Sequence, residues 1–430
     1  MKISFIGHGY VGLVTAAVFA DLGNTVWVVG RNEQKIENLK SGKMPFFEPG
    51  LEELVKRNQT AKRLLFTTSY KEAIPESEVV FIAVGTPPKK TGEADLSSVF
   101  AAAEEIGKNL AGYTVVVTKS TVPPGTNRKV GEIVAQVKPP KAEFDIASTP
   151  EFLREGTAIS DTMHPDRVVI GVESQKAQKL LVDLHKSIDG KTVLCNIETA
   201  EMIKYASNSL LSTKISFANA IAFVSERVGA DAEKVLEGVG LDRRLGRAFL
   251  YPGVGYGGSC FPKDVKALIA LADKVGYNFE LLKMVDKVNQ QASEFFIEKI
   301  TTTLAPLKGK TIGILGLSFK PDTDDMREAP SIDIITELQK KGAAISAYDP
   351  VAMENAKGLL TNVTFCKNAY DAVSGADAAV FVTEWNEFRH LDLVKVKTLM
   401  KHPILFDGRN IYEPRKAKDL GFRYTGVGRS

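Results

Sequence analysis

The stretch Lys2–Val29 limits the fold more than any other part of the chain. Lys2-Ile3-Ser4-Phe5-Ile6 reads as a short buried strand, Gly7-His8-Gly9-Tyr10-Val11-Gly12 as a tight turn, and Leu13 to Leu22 as an apolar, Ala-rich helix closed by Gly23. Thr25 to Val29 returns as a second strand. A G-x-G-x-x-G turn between strand and helix has a mechanical meaning. The first glycine makes the turn, the second admits a pyrophosphate to the backbone, and the third lets helix pack on sheet. The helix N-terminus then offers unpaired N–H groups to the phosphates. The pattern predicts a parallel α/β sheet with a dinucleotide site. A glycine-rich turn that binds nothing is the plainer alternative.

One position departs from the usual pattern for NAD. An acid is expected at the end of the second strand, to hold the ribose 2′-hydroxyl. Here the chain reads Gly30-Arg31-Asn32. Loss of the carboxylate and gain of a guanidinium suit a 2′-phosphate, which Arg pairs in forked geometry. NADP is therefore expected as an accepted cofactor beside NAD. An Arg31 that is merely solvated is the alternative.

Val79 to Val84 is an uninterrupted apolar strand ending in Gly85-Thr86-Pro87, and Thr114 to Thr118 is another, ending in Lys119-Ser120-Thr121. Ligands of such sheets sit beyond the carboxyl ends of the strands, which places Thr86, Ser120 and Thr121 near a cofactor or substrate. As isolated hydroxyls they are equally ordinary turn residues. After the strand Phe144 to Ser148, Glu151 and Glu155 stand four apart, so that a helical turn would put both carboxylates on one face. That suits a water-positioning base, and a capped loop-to-helix entry explains the spacing equally well.

Between about Thr199 and Asn289 the strand signals stop. Ala200 to Arg227 reads as one long helix and Leu281 to Ile300 as another. On the first, Lys204 and Asn208 lie one turn apart, a pairing that suits an oxyanion and that most surface pairs do not serve. Between the two helices runs Phe249-Leu250-Tyr251-Pro252-Gly253-Val254-Gly255-Tyr256-Gly257-Gly258-Ser259-Cys260-Phe261-Pro262-Lys263-Asp264. Its glycines allow close backbone approach to a ligand. Cys260 ends the loop where a helix begins, and the partial positive charge there favours thiolate. Most unpaired cysteines are small buried apolar residues, so the thiol alone proves nothing.

From Lys310 the α/β rhythm restarts, with strands at Thr311–Leu317, Ala344–Tyr348 and Ala378–Thr383 and a helix at Ser331–Lys341. The expected fold is thus α/β: two Rossmann-like, doubly wound domains, at 1–198 and 301–430, joined by a helical middle at 199–300 that carries the cysteine loop. The acidic run Asp322, Asp324 and Asp325 reads as a solvated loop, and the basic tail from Arg409 to Arg429 as a solvated edge.

Bulk properties exclude several classes. A chain of 430 residues has room for about three domains. A net charge of +3 is too small to argue for nucleic acid. Three scattered cysteines do not make a disulfide framework, and five histidines without H-x-x-x-H spacing give no zinc site, so no metal is expected. No apolar stretch reaches membrane-spanning length, and Met1 leads straight into a strand, so a cytoplasmic protein without membrane attachment is expected.

A dinucleotide site joined to a candidate thiolate points to a particular chemistry. Hydride removal turns an alcohol into an aldehyde, a thiolate adds to it, and a second hydride loss gives a thioester that water releases as acid. The chain closely resembles the UDP-glucose 6-dehydrogenase family, one of the nucleotide-sugar dehydrogenases, over essentially its whole length. The matching stretches are Gly7–Gly12, Val84–Pro87, Ser120–Gly125, Pro150–Gly156, Lys204–Asn208, Gly253–Asp264 and Gly316–Lys320. The resemblance implies four-electron oxidation of UDP-glucose to UDP-glucuronate. It implies Cys260 as nucleophile, Lys204, Asn208 and Asp264 around the oxyanion and water, and Glu151 with Thr121 in proton transfer or thioester hydrolysis.

Carried over in the same way, the cofactor meets Thr86, Thr121, Glu155, Lys263 and Arg327; the turn residues Gly7, Gly9, Tyr10, Val11 and Gly12, with Arg31 and Lys35 beyond the second strand, complete the expected cofactor contacts. The sugar nucleotide meets Glu151, Phe152, Leu153, Arg154, Lys204, Asn208, Phe249, Leu250, Tyr251, Pro252, Gly253, Gly257 and Lys320. The resemblance further implies a homodimer built by the central helices, with Arg244 reaching the substrate of the neighbouring subunit. Gly30-Arg31 departs from the family, which usually carries Asp there. A GDP-mannose 6-dehydrogenase is the alternative within the same chemistry. A catalytically silent nucleotide-sugar-binding protein is the alternative of another class, although it would have no need of a poised thiol.

Overall fold

The structure is a computed structural model that describes residues 1–429. It divides into two compact units, Met1–Ser207 and the chain from Asn208 onward, the boundary falling inside the long helix Ile197–Val228.

The first unit is built on an eight-stranded sheet. Its strands are β1 (Lys2–Ile6), β2 (Thr25–Val29), β3 (Leu64–Thr67), β4 (Val79–Ile82), β5 (Tyr113–Thr118), β6 (Glu143–Ser148), β7 (Arg167–Val172) and β8 (Lys191–Cys195). The spatial order is β3-β2-β1-β4-β5-β6-β7-β8, parallel throughout except where β7 runs antiparallel to β6. The first six strands follow the doubly wound order, whose reversal between β1 and β4 opens a crevice at the strands' carboxyl ends.

Period-two alternation explains the two cores of this sheet. Phe5, Phe81, Val115 and Val117 face one layer, whereas Ile6, Val80, Ile82 and Val116 face the other. Both faces are covered, which is why these strands read as unbroken apolar runs. Phe5 stacks on Phe81 at 4.6 Å between ring centroids, and Phe19 of the helix Tyr10–Asp21 lies over both. That helix is buried along Gly12–Ala20, as its nearly all-apolar sequence requires.

Glycine is needed where this helix meets the sheet. A β-carbon on Gly7, whose φ is +120°, would lie 2.3 Å from the Ala83 carbonyl oxygen. One on Gly12 would lie 2.2 Å from the Gly7 carbonyl oxygen. The first and third glycines of the turn therefore have the packing roles read from their spacing.

The second unit holds a six-stranded, all-parallel sheet of β9 (Thr311–Leu315), β10 (Ala344–Tyr348), β11 (Val363–Phe365), β12 (Ala378–Phe381), β13 (Ile404–Asp407) and β14 (Arg423–Thr425). Its order, β11-β10-β9-β12-β13-β14, repeats the doubly wound arrangement. Asp349, just past β10, is fully buried and accepts hydrogen bonds from the Leu317 and Ser318 amides, the Ala352 amide and the Trp385 indole. The acid that ends the second strand of this sheet thus organises its own turns. This unit also holds the helices Ala232–Gly240, Phe261–Lys274 and Glu280–Leu304, with the irregular stretch 241–260 between the first two.

Two readings of the sequence change. Glu151 and Glu155 do not share a helical turn, because residues 149–157 are not helical and the next helix starts at Ala158. Pro150 precedes the segment, and the Glu151 carboxylate accepts the Leu153 amide at 2.9 Å, a local bond that competes with helix. The basic tail is a solvated edge only in part: Arg415, Lys416, Lys418 and Arg423 are exposed, whereas Arg429 is 7% exposed and pairs with Asp231 and Glu413 at 3.1 Å each.

Candidate active site

In the first unit the glycine turn fits a dinucleotide. Gly9 caps the helix Tyr10–Asp21 in extended conformation, with no side chain hydrogen-bonding to the first-turn amides. A β-carbon built on Gly9 meets nothing within 4 Å, so the backbone is open to a pyrophosphate. Tyr10 donates its hydroxyl to the buried Glu48, which also accepts the backbone amides of Gly156 and Ala158 at 2.6 and 2.7 Å. Glu48 thereby ties the glycine turn to the loop that carries Glu151 and Glu155. Burial raises the Tyr10 pKa strongly, helped by Glu48 and then Glu155, so the phenol stays a donor. Nothing in the Phe46-Phe47-Glu48-Pro49-Gly50 run marks Glu48 as more than a turn residue.

At the ends of β4 and β5, Thr86 donates its hydroxyl to the Thr121 carbonyl at 3.0 Å and so pins the two motifs together. Ser120 donates to the carbonyls of Ile82 and Val84, so its hydroxyl is used as a turn residue uses it.

Lys204 and Glu151 form a buried ion pair, Nζ to Oε1 2.9 Å, with side chains only 4% and 6% exposed. Lys204 is held in place by its own helix, because Glu201, one turn earlier, accepts the Gly125 amide and both nitrogens of Asn127. These contacts cap the helix Thr126–Val137. Phe152 lies between cations, with Arg167 at 3.8 Å and Lys204 at 5.4 Å from its ring centre.

A third charge joins this pair. Lys119, which the sequence shows only as the residue after a strand, is buried, and its ammonium reaches toward the Thr149 carbonyl at 3.4 Å. Burial pushes it down to about 8; the Glu151 carboxylate opposes that fall and the Lys204 charge adds to it. Lys119, Glu151 and Phe152 line a cavity of about 50 Å³ together with His185. Burial holds His185 down near 4, with its Nδ1 2.8 Å from the Leu181 carbonyl. The cluster is two ammonium groups around one carboxylate, a net positive setting suited to an alkoxide or other anion. The exposed Arg154 pairs with Asp161, which lines the same cavity, at 2.6 Å.

In the second unit, Cys260 is half-buried and caps the helix Phe261–Lys274, whose first hydrogen bond runs from the Asp264 amide to the Cys260 carbonyl at 3.0 Å. Pro262 in the first turn fixes where the helix starts. The Ser259 hydroxyl lies 3.6 Å from the Cys260 sulfur. Asp264 is 1% exposed and accepts from the Asn208 amide at 2.6 Å and from the Lys263 ammonium. Asn208, one turn beyond Lys204 on the same helix, is thus fixed by the residue that follows Cys260 by four.

The glycine loop ahead of Cys260 is pressed against other backbone. A β-carbon on Gly257 would lie 2.1 Å from the Glu328 carbonyl oxygen, and the Gly258 amide donates to the Arg327 carbonyl at 2.9 Å. The Gly253 amide is held by Asn219 at 2.8 Å. Phe249 adopts φ +64°, an unusual conformation for a bulky residue, and meets Phe261 edge-on. Arg409 binds the carbonyls of Val382, Gly255 and Phe319, the last next to Lys320. Arg409 therefore braces the loop from inside the fold.

Leu250 is buried and Pro252 and Gly253 are enclosed, whereas Tyr251 is exposed beneath Arg247. Arg244 and Arg327 lie on the surface, paired with Asp242 and Asp325.

Three family descriptions match successive parts of the chain. They are the UDP-glucose/GDP-mannose dehydrogenase family's NAD binding domain over residues 1–189, its central domain over 198–291 and its UDP binding domain over 313–414. The chain is 48% identical, over 100% of its length and 93% of the relative's, to UDP-glucose 6-dehydrogenase TuaD of Bacillus subtilis. Its fold is similar to a UDP-glucose dehydrogenase from Pyrobaculum islandicum, with TM-score 0.93 and 38% identity over 100% of this chain and 98% of that one. A GDP-mannose dehydrogenase from Pseudomonas aeruginosa is 31% identical with TM-score 0.56, covering 99% and 100% of the two chains. With all three segments matched in order behind a dinucleotide turn and a helix-capping thiol, the chain belongs to the UDP-glucose/GDP-mannose dehydrogenase family.

Proposed function

We propose that the protein oxidises UDP-glucose to UDP-glucuronate in two steps, with Cys260 as the nucleophile. The observation that carries this reading is a thiol at a helix N-terminus, at the end of a glycine loop braced on both sides, in a chain of this family. Gly7–Gly12 would hold NAD or NADP, which when bound would supply the acceptor for the hydride released at each oxidation.

The chain's own groups supply the rest. The cluster of Lys119, Glu151 and Lys204 favours loss of the proton from the primary hydroxyl and holds the resulting negative charge. Loss of a proton and a hydride leaves an aldehyde. The Cys260 thiolate adds to its carbonyl carbon, and the oxyanion so formed is stabilised by Lys204 and Asn208 and takes a proton. The thiohemiacetal loses a second proton and hydride to become a thioester. Water, positioned by Asp264 and Glu151 with Thr121, then attacks the carbonyl; the carbon–sulfur bond breaks and the thiolate returns. The net change is four electrons removed and one oxygen gained from water. Phe249–Gly253, Gly257 and Lys320 are assigned to the sugar nucleotide, and Thr86, Glu155, Lys263 and Arg327 to the cofactor.

The parts 1–198, 199–300 and 301–430 serve in this reading as cofactor, helical and nucleotide-sugar segments. The helical segment is assigned to a homodimer. On the helix Ile197–Val228, Leu210, Phe217 and Val224 recur every seven residues on one face and are 63%, 50% and 57% exposed. An apolar stripe of that kind marks a helix-packing surface. Arg244, exposed on this unit, is assigned to the partner's substrate. Among the described residues no helix is long and apolar enough to cross a membrane. A cytoplasmic location is part of the proposal.

Initial rates of nicotinamide reduction with UDP-glucose and GDP-mannose test the substrate. A kcat/KM for UDP-glucose at least about 100-fold above that for GDP-mannose is expected, since the site must distinguish both base and sugar. The reverse order would place the chain with the mannose enzymes and leave the thiol chemistry in place.

A further inference from the structure

We propose that the adenosine end of the dinucleotide site is built for a 2′-phosphate, so that NADP is preferred to NAD, and that Arg31 is the residue that reads the phosphate. This rests on the dinucleotide reading of the first sheet and is independent of the sugar oxidised. β2 ends at Val29, and the next residue, where an NAD site places its ribose-binding acid, is the buried Gly30.

The space an acid would use is already filled. A β-carbon on Gly30 would lie 2.8 Å from His8 Nδ1 and 2.8 Å from Ile36 Cδ1. The imidazole of His8, inside the glycine turn, has taken the position from which a carboxylate at residue 30 would emerge. Asn32 does not replace it, because its side chain caps the helix Glu33–Lys40 by accepting the Lys35 amide at 2.9 Å.

The surrounding groups are mainly basic. Arg31 and Lys35 are exposed, and His8 is half-buried. Burial first, and then the Lys35 charge, lowers the His8 pKa. Arg31 lies close enough to the Tyr70 phenol to oppose the rise that burial gives it. Of the nearby acids, Glu72 is held by the Thr67 hydroxyl at 2.6 Å, Glu33 opens the helix, and Glu105 adds to the rise in the Tyr70 pKa. A dianionic phosphate monoester on the ribose would thus meet a guanidinium and an ammonium, with no acid in the place of the missing one.

The test is calorimetric binding of 2′,5′-ADP and 5′-AMP to the wild-type protein and to Arg31→Ala, with no sugar nucleotide present. A phosphate read by a charge-assisted pair predicts that 2′,5′-ADP binds at least about 10-fold tighter than 5′-AMP. Arg31→Ala should lower 2′,5′-ADP affinity at least about 10-fold more than 5′-AMP affinity. Arg31 is exposed, so the variant should fold, and circular dichroism checks this. Equal or weaker binding of 2′,5′-ADP by the wild type would overturn the preference. A preference unchanged in Arg31→Ala would overturn the assignment to Arg31. Neither result bears on oxidation of UDP-glucose with NAD.

Discussion

Cys260→Ala is expected to abolish formation of the acid product while leaving the protein folded. Without the sulfur nothing holds the aldehyde covalently for the second hydride loss. Removal of a catalytic nucleophile typically costs about 10⁴- to 10⁶-fold in kcat. The fold should scarcely change, because Cys260 is half-buried at a helix cap and its backbone carbonyl, which the substitution keeps, accepts the first helical hydrogen bond. A change in unfolding free energy within about 1 kcal/mol is expected. Steady acid production by Cys260→Ala, measured by chromatography of the sugar nucleotide, would remove the thiohemiacetal and thioester from the mechanism.

The second large effect is expected at Lys204. Lys204→Met removes one of two ammonium groups from the buried cluster and leaves Glu151 facing Lys119 alone. Loss of a donor that holds an oxyanion lowers kcat by about 10²- to 10³-fold. Breaking a buried pair usually destabilises by about 3–5 kcal/mol; Lys119 still compensates Glu151, so the lower end is expected. The two consequences separate in the double variant Lys204→Met/Glu151→Gln. Removing the stranded carboxylate should restore most of the stability and none of the rate. A double variant whose activity recovered along with its stability would show that Lys204 acts only on packing.

The parts of the fold that could be read from sequence are those in which local pattern and tertiary role coincide. Val79–Ile82 is an unbroken apolar run because both faces of the sheet are covered. The glycines of the turn are spaced by the packing of Gly7 against Ala83 and of Gly12 against Gly7. The start of the helix after Cys260 is announced by Pro262. Less regular pieces escaped. The edge strand β8 is short and partly exposed, so Lys191–Cys195 carries little alternation to detect.

Side chains whose role is set by remote partners were also hidden. Lys119 follows a strand and looks like a solvated turn residue; the groups around it, Thr149 and Glu151, Lys204, and His185, come from three distant places in the chain. Glu48 and Arg409 were missed for the same reason, since their partners are mostly backbone groups more than 20 residues away. Glu151 and Glu155 misled in the opposite direction: their spacing suggested helix, but a side-chain bond to the Leu153 amide takes the backbone elsewhere.

The most direct test is the stoichiometry of complete turnover: a limiting amount of UDP-glucose is oxidised with excess cofactor, and reduced nicotinamide and sugar product are counted together. Double oxidation through Cys260 predicts two reduced nicotinamides and one UDP-glucuronate for each UDP-glucose consumed. One reduced nicotinamide per sugar, with aldehyde accumulating, would contradict it.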